Sequence, residues 1–208
     1  MSGRAGRRSS EPRFDRRQAL AGAAAPLLAG WAGVAWQGFA QAQSSARPTP
    51  SCGPQSQPTP PQTAGPYFKP RSPARESLIE PGLQGERLSL AGRVLDARCR
   101  PVAQTLVDVW QADAAGVYDN EGFRLRGHLW SGADGGFRLE TILPGLYPGR
   151  TRHLHLRLQP PGGRVLTTQL YFPGEPLNAR DGLFDPALEV ALTRDHGAAL
   201  ATFEFVLG

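Results

Sequence analysis

The stretch His153-Leu154-His155-Leu156-Arg157-Leu158 alternates strictly between polar and apolar residues. A period of two describes a β-strand with the three leucines on one face and His153, His155 and Arg157 on the other. The leucine face belongs to a core. The histidine face therefore looks away from it, towards water or towards a site covered by loops. Two imidazoles at i and i+2 on one strand can converge on a single metal ion. A pair of half-exposed surface histidines is the competing reading of an isolated His-x-His. The company favours the metal: the chain has only four histidines and four tyrosines, and Tyr118 and Tyr147 lie in loop-like sequence near this strand.

The rest of the chain resembles the His strand in scale. No internal repeat and no long period-3.6 segment follows the N-terminal region. Short alternating runs appear instead, at Arg87 to Leu95, Thr105 to Trp110, Phe123 to Trp130, Phe137 to Thr141, Val165 to Phe172, Leu188 to Leu192 and Ala201 to Leu207. Gly, Pro, Asp and Asn separate them. Ala133-Asp134-Gly135-Gly136 predicts a hairpin turn, Pro160-Pro161-Gly162-Gly163 another, and Pro173 to Pro186 a long polar loop. Seven to eight short strands with long loops describe an all-β, antiparallel β-sandwich, with a barrel as the runner-up.

Residues 1–42 stand apart from this pattern. Arg16-Arg17 precedes a mild Ala/Gly-rich apolar run from Ala19 to Trp36, then Ala40-Gln41-Ala42. A twin arginine, a weakly apolar segment and a small-residue cleavage site describe a Tat-type export signal, with a periplasmic or secreted destination. An N-terminal anchor is the alternative, and Pro26 and the Ala/Gly content argue against it. The membrane is then met only during export. This leader holds six arginines and two acids, which leaves 17 basic and 16 acidic residues and a net charge of +1 instead of +5. The high isoelectric point is thus a leader property and gives no reason to expect nucleic acid as a partner. Residues 43–64, rich in Ser, Pro, Gln and Thr, read as a flexible tether, and 65–208 as the folded domain. Cys52 and Cys99 are the only cysteines. An oxidising compartment permits them to pair and tie the tether to the turn after the first strand; two independent thiols are the alternative.

Tyrosine is a poor metal ligand while protonated, since a phenol ionises near pH ~10. Phenolate oxygen is hard and anionic and suits Fe(III) better than Zn(II). Two imidazoles and two phenolates neutralise two of the three charges and leave room for a hydroxide or a substrate. Asp113 and Asp119 keep a histidine-and-carboxylate Fe(II) alternative open. Arg150, three residues before His153, stays charged at any working pH and can stabilise negative charge on a bound ring. Arg152 reads as a solvated turn residue. Gln169 is a hydrogen-bond donor to substrate or a surface amide.

Several longer stretches are similar to one family. Gly85 to Asp96, Asp108-Val109-Trp110-Gln111-Ala112-Asp113-Ala114-Ala115-Gly116-Val117-Tyr118, Thr141 to Pro148 and Thr168 to Leu177 resemble, in order, the intradiol ring-cleavage dioxygenases. Within them they are most like the iron-bearing chain of the protocatechuate-cleaving members. Thr63-Ala64-Gly65-Pro66-Tyr67-Phe68 looks like the Gly-Pro-aromatic segment that leads into that domain.

The resemblance implies a non-haem Fe(III) held by Tyr118, Tyr147, His153 and His155. It makes Tyr147 the axial tyrosinate that a chelating catechol displaces and that helps take up a substrate proton. It gives Arg150 the role of polarising the ring, Gln169 a second polar place in the pocket and Trp110 a pocket wall. The implied reaction uses O2 to break a catecholic ring between its two hydroxylated carbons, yielding a muconate-type diacid. The loop from Tyr147 to His153 is shorter than in the protocatechuate-cleaving enzymes, with Gly149 where they carry a large aromatic, and the segment after Tyr118 is short too. These departures predict a more open site. Two other readings compete: an exported β-sandwich module that binds metal or aromatics without turnover, and a zinc hydrolase, which tyrosinate ligation disfavours. Homo-oligomerisation is left open.

Overall fold

The computed structural model describes residues 52, 53, 57–195 and 197–208. The leader read over residues 1–42 and most of the tether lie outside the described residues. Two four-stranded sheets face each other, one ordered β4-β1-β8-β7 and the other β3-β2-β5-β6. The strands are β1 Arg87–Asp96, β2 Leu106–Trp110, β3 Arg126–Trp130, β4 Gly136–Ile142, β5 His153–Gln159, β6 Leu166–Tyr171, β7 Ala191–Asp195 and β8 Ala198–Leu207. This is the expected β-sandwich. Pairing is antiparallel throughout except between β1 and β8, which run parallel.

Leu154, Leu156 and Leu158 are fully buried between the sheets beside Val107, Val109, Leu88 and Leu90. Each such side chain contributes about 1.5–3 kcal/mol by leaving water, which fixes the register of β5. A slip by one residue would put three leucines outside and two imidazoles in the core.

Three local expectations change. Ala133 to Gly136 is not a hairpin: β3 pairs with β2 and β4 with β1, so this turn carries the chain from one sheet to the other. Asp134 still does the work expected of a turn residue, accepting the Gly136 N–H at 2.9 Å. The run at Phe123 becomes a strand only from Arg126, because Leu125 takes φ 54° and breaks the extended backbone. Leu188 does not open a strand; Asp185 caps a 3-10 turn at Pro186–Leu188, and the strand starts at Ala191.

The last part of the stretch read as a tether, residues 57–64, is laid against the sandwich. Thr59 N–H donates to Val206 O at 2.9 Å and Gln62 N–H to Thr167 O at 2.8 Å. The same strap continues across the histidine face, then joins His128 of β3 through Pro73 and Arg75 and Glu140 of β4 through Glu76 and Leu78. It thereby occupies the outer edges of β6, β3 and β4, which would otherwise present unpaired backbone groups. Before it, Cys52 and Cys99 form a disulfide with Cα atoms 5.5 Å apart, pinning the start of the described chain to the turn after β1.

Candidate active site

Register explains why the polar face of β5 becomes a site. His155 lies directly across from Trp110 on β2 and Gln169 on β6, and His153 lies across from Tyr171. Residues that face each other in this way share one surface of the sheet. That surface is covered by the strap, so His153 and His155 are only 4% and 3% exposed. Gly65 takes φ +65°, and a Cβ there would sit 3.5 Å from His155 Cε1, so the strap backbone passes close over this ring.

The two loop tyrosines close on the histidines. Tyr118 Oη lies 3.3 Å from His153 Nε2. The Tyr118 ring centroid is 6.1 Å from that of His155 and 5.9 Å from that of Tyr147, and the two imidazoles are 4.8 Å apart. All four residues expected from the sequence therefore converge in one cluster. Close backbone packing brings the two loops together: a Cβ on Gly116 would lie 2.0 Å from the Leu146 carbonyl oxygen.

The arrangement suits a metal. His153 Nδ1 is 2.7 Å from the Thr151 carbonyl. That oxygen can only accept, so Nδ1 carries the proton and Nε2 turns its lone pair towards Tyr118. His155 Nδ1 is buried without a completed hydrogen bond, although it faces the Thr63 carbonyl closely enough to feel it; that oxygen already accepts Gln169 Nε2 at 3.0 Å. Burial lowers the pKa of His153 to about 4, and burial together with His153 holds His155 well below the usual range. Both rings are thus neutral and able to ligate. Burial also pushes the Tyr118 phenol up, so a strong Lewis acid is what would ionise it. The carboxylates Asp113 and Asp119 are turned to other work. Asp113 accepts the N–H groups of Ala115 and Val117, and Asp119 those of Glu121, Gly122 and Arg124. Among the described residues no carboxylate groups with the two histidines, which leaves the histidine-and-carboxylate alternative without a third ligand there.

Arg150 is held at the edge of the cluster. Its Nε donates to Asp181 Oδ2 at 2.8 Å and its Nη2 to Gln169 Oε1 at 2.7 Å and Tyr171 Oη at 3.4 Å. No hydrogen bond among the described residues uses Nη1. Gln169 departs from its expected place as a substrate contact. It is fully buried, and its amide is taken at one end by Thr63 and at the other by Arg150 and Tyr171, so it braces the arginine. Trp110 is not an open wall either. Only 1% exposed, it stacks on His155 at 4.9 Å and meets the edge of Phe68. Arg152, expected in solvent, pairs with Glu175 at 2.8 Å and donates to the Pro144 carbonyl.

Tyr67 was not singled out by the sequence. Its ring stacks on Tyr118 with centroids 4.4 Å apart and planes 12° from parallel, and its hydroxyl is 2.9 Å from that of Tyr147. The Gly65-Pro66-Tyr67 pattern was the available signal. Asp181 was hidden inside a stretch read only as a polar loop.

A family model described as "Dioxygenase" matches residues 63–194. The protocatechuate 3,4-dioxygenase beta chain of Burkholderia cepacia is 41% identical over 128 residues, 53% of this chain and 54% of that one. The chain belongs to the intradiol dioxygenase family. Another intradiol dioxygenase, the 6-chlorohydroxyquinol 1,2-dioxygenase of Cupriavidus pinatubonensis, is 31% identical over 177 residues, covering 72% of this chain and 64% of its own. The chain spans roughly half the length of the curated relatives it matches. One solved structure is matched along almost its own whole length. The dioxygenase domain of a dioxygenase–carbohydrate-binding protein fusion from Streptomyces sp. SirexAA-E is 54% identical, with a TM-score of 0.71 over 73% of this chain and 98% of that one. The 3-chlorocatechol 1,2-dioxygenase of Rhodococcus opacus 1CP follows the same fold at 28% identity and a TM-score of 0.68, over 74% of each chain.

Proposed function

We propose that this intradiol dioxygenase binds one non-haem Fe(III) through Tyr118, Tyr147, His153 and His155. With O2 it opens a catecholic ring between the two hydroxylated carbons, releasing a muconate-type diacid. The observation that carries the reading is the gathering of two phenols and two neutral imidazoles into one cluster on the strap-covered face of the sheet. Ferric iron would supply the Lewis acidity that ionises the catechol and makes its ring reactive towards O2.

The chain's own residues account for the rest. Tyr147 is half-buried on a short loop; ionised as a ligand, its phenolate oxygen would take a proton from an incoming catechol and become the neutral hydroxyl. Tyr67 Oη, 2.9 Å away, gives that protonated hydroxyl a partner. Arg150, fixed by Asp181 and Gln169, offers Nη1 to negative charge gathering on the ring. The leader supports export to the periplasm or beyond, where an oxidising compartment favours the Cys52–Cys99 bond; cell fractionation tests this.

Oxygen uptake by the iron-loaded protein across a panel of catechols, protocatechuates and hydroxyquinols tests the activity. Consumption matched by a muconate-type product supports the reading. The competing binding module without turnover gains from the low rim over Gly149, where a Cβ would meet nothing within 4 Å. Iron binding with no oxygen consumed on any member of the panel would favour that module.

A further inference from the structure

Two cations near the site meet backbone oxygens instead of acids. Arg126, 1% exposed, donates from Nε and Nη2 to the Asp119 carbonyl at 3.0 and 2.8 Å, and from Nη1 to the Tyr67 carbonyl. Lys69 Nζ donates to the carbonyls of Asn120, Glu121 and Gly122 at 3.2, 2.9 and 2.7 Å, and stands 4.9 Å over the Phe123 ring. The Asp119 carboxylate caps its own turn and makes no hydrogen bond with either. A buried guanidinium whose hydrogen bonds all go to backbone carbonyls, with the carboxylates of Asp119 and Asp108 acting on it only through space, is costly. What it gains here is a link between two segments: the strap that carries Tyr67 and the loop that follows Tyr118.

The link has two points on each segment. Arg126 grips the residue after Tyr118 and the backbone of Tyr67 itself, while Lys69, two residues beyond Tyr67, grips the next three carbonyls of the loop. Arg75, further along the strap, donates from Nε to the Arg126 carbonyl at 2.9 Å and closes the far side. Between residues 57 and 80 the strap has no strand or helix of its own. Without these bonds, Tyr67 would rest on Tyr118 by ring contact and on Tyr147 by one hydroxyl pair.

We propose that Lys69 and Arg126 are positioning residues that clamp the strap to the Tyr118 loop, so that Tyr67 stays stacked on Tyr118 with its hydroxyl on Tyr147. The proposal rests on the assignment of Tyr118 and Tyr147 to the reacting centre. A single ammonium cannot replace the Arg126 fork, which reaches two carbonyls on different segments at once. An arginine can replace Lys69, whose partners form one arc.

The test uses the full chain carrying Lys69→Met, Lys69→Arg or Arg126→Lys, with Tyr67→Phe marking the share of the near-ultraviolet circular dichroism that comes from the Tyr67–Tyr118 pair. In the iron-free protein, Lys69→Met and Arg126→Lys should lose that share while the far-ultraviolet spectrum stays native. Loaded with iron, both should lower kcat roughly fivefold with KM little changed, the loss set by the single Tyr67–Tyr147 hydrogen bond that the clamp preserves. Lys69→Arg should restore both signals. Native circular dichroism and native kcat in both Lys69→Met and Arg126→Lys would overturn the clamp, and so would failure of Lys69→Arg to rescue. If the parent protein opens no catechol at all, the activity reading fails, and the iron-free dichroism still decides the clamp.

Discussion

Tyr67 and Tyr147, 80 residues apart in sequence, meet hydroxyl to hydroxyl at 2.9 Å. The pair joins the strap, which arrives from outside the sandwich, to the loop just before the His strand. It also raises the pKa of Tyr67 through the shared hydrogen bond with Tyr147.

Tyr67→Phe should therefore keep its iron and slow ring opening. One neutral hydrogen bond is worth about 1 kcal/mol, which sets the loss at roughly fivefold. Steady-state kinetics and metal analysis on the same preparation check this. An unchanged rate would remove Tyr67 from the proton path.

Arg150→Ala should bind iron normally and lose kcat on the order of a hundredfold, as expected when a charge-stabilising donor is removed. Asp181→Asn should give a milder version of the same defect, since Asp181 fixes Arg150 and also accepts the Thr151 N–H at 2.8 Å. It should cost about 2 kcal/mol of stability as well, from hydrogen bonds to a charged group. Arg150→Ala turning over at the parent rate would show that the arginine has no part in the chemistry.

The pH dependence of the iron-free protein follows from His153. Its folded-state pKa of about 4 lies below the unfolded value near 6.5, so the unfolded chain binds more protons between the two. The stability contribution is complete above pH ~6.5 and is lost as the pH falls towards 4. Urea unfolding at pH 8 and pH 5 should differ by about 2 kcal/mol from this residue alone, with His155 acting in the same direction. Equal stabilities would mean that the pair is not buried neutral in solution.

Cys52→Ser should destabilise the protein by about 2–4 kcal/mol, the usual effect of opening a loop of this size, here 47 residues. Dithiothreitol should lower the melting temperature of the parent and leave that of the variant unchanged. A parent insensitive to reductant would show that the two cysteines are not bonded in solution.

Much of this was readable because it depends on local periodicity. The two-residue period of His153 to Leu158 placed three leucines inside and two histidines on the site face, and the structure agrees. The four-residue cluster came from residue chemistry together with family resemblance. What could not be read depends on long-range partners. Gln169 looked like a substrate contact because sequence does not reveal that Thr63 and Arg150 occupy both ends of its amide. Asp181 sits in a stretch with no periodicity, and only the folded chain brings it to Arg150. The turn at Asp134 was recognised, but which sheet receives the next strand is decided by the partners of β1, far away in sequence.

The visible absorption spectrum of the ferric-loaded full-length protein tests the central claim most directly. Tyrosinate bound to Fe(III) should give a broad charge-transfer band and a reddish colour, the band should shift when catechol is added without oxygen, and Tyr118→Phe should lose iron and colour together. A parent protein that holds one ferric ion per chain yet shows no such band would contradict ligation by Tyr118 and Tyr147, and with it the proposed centre.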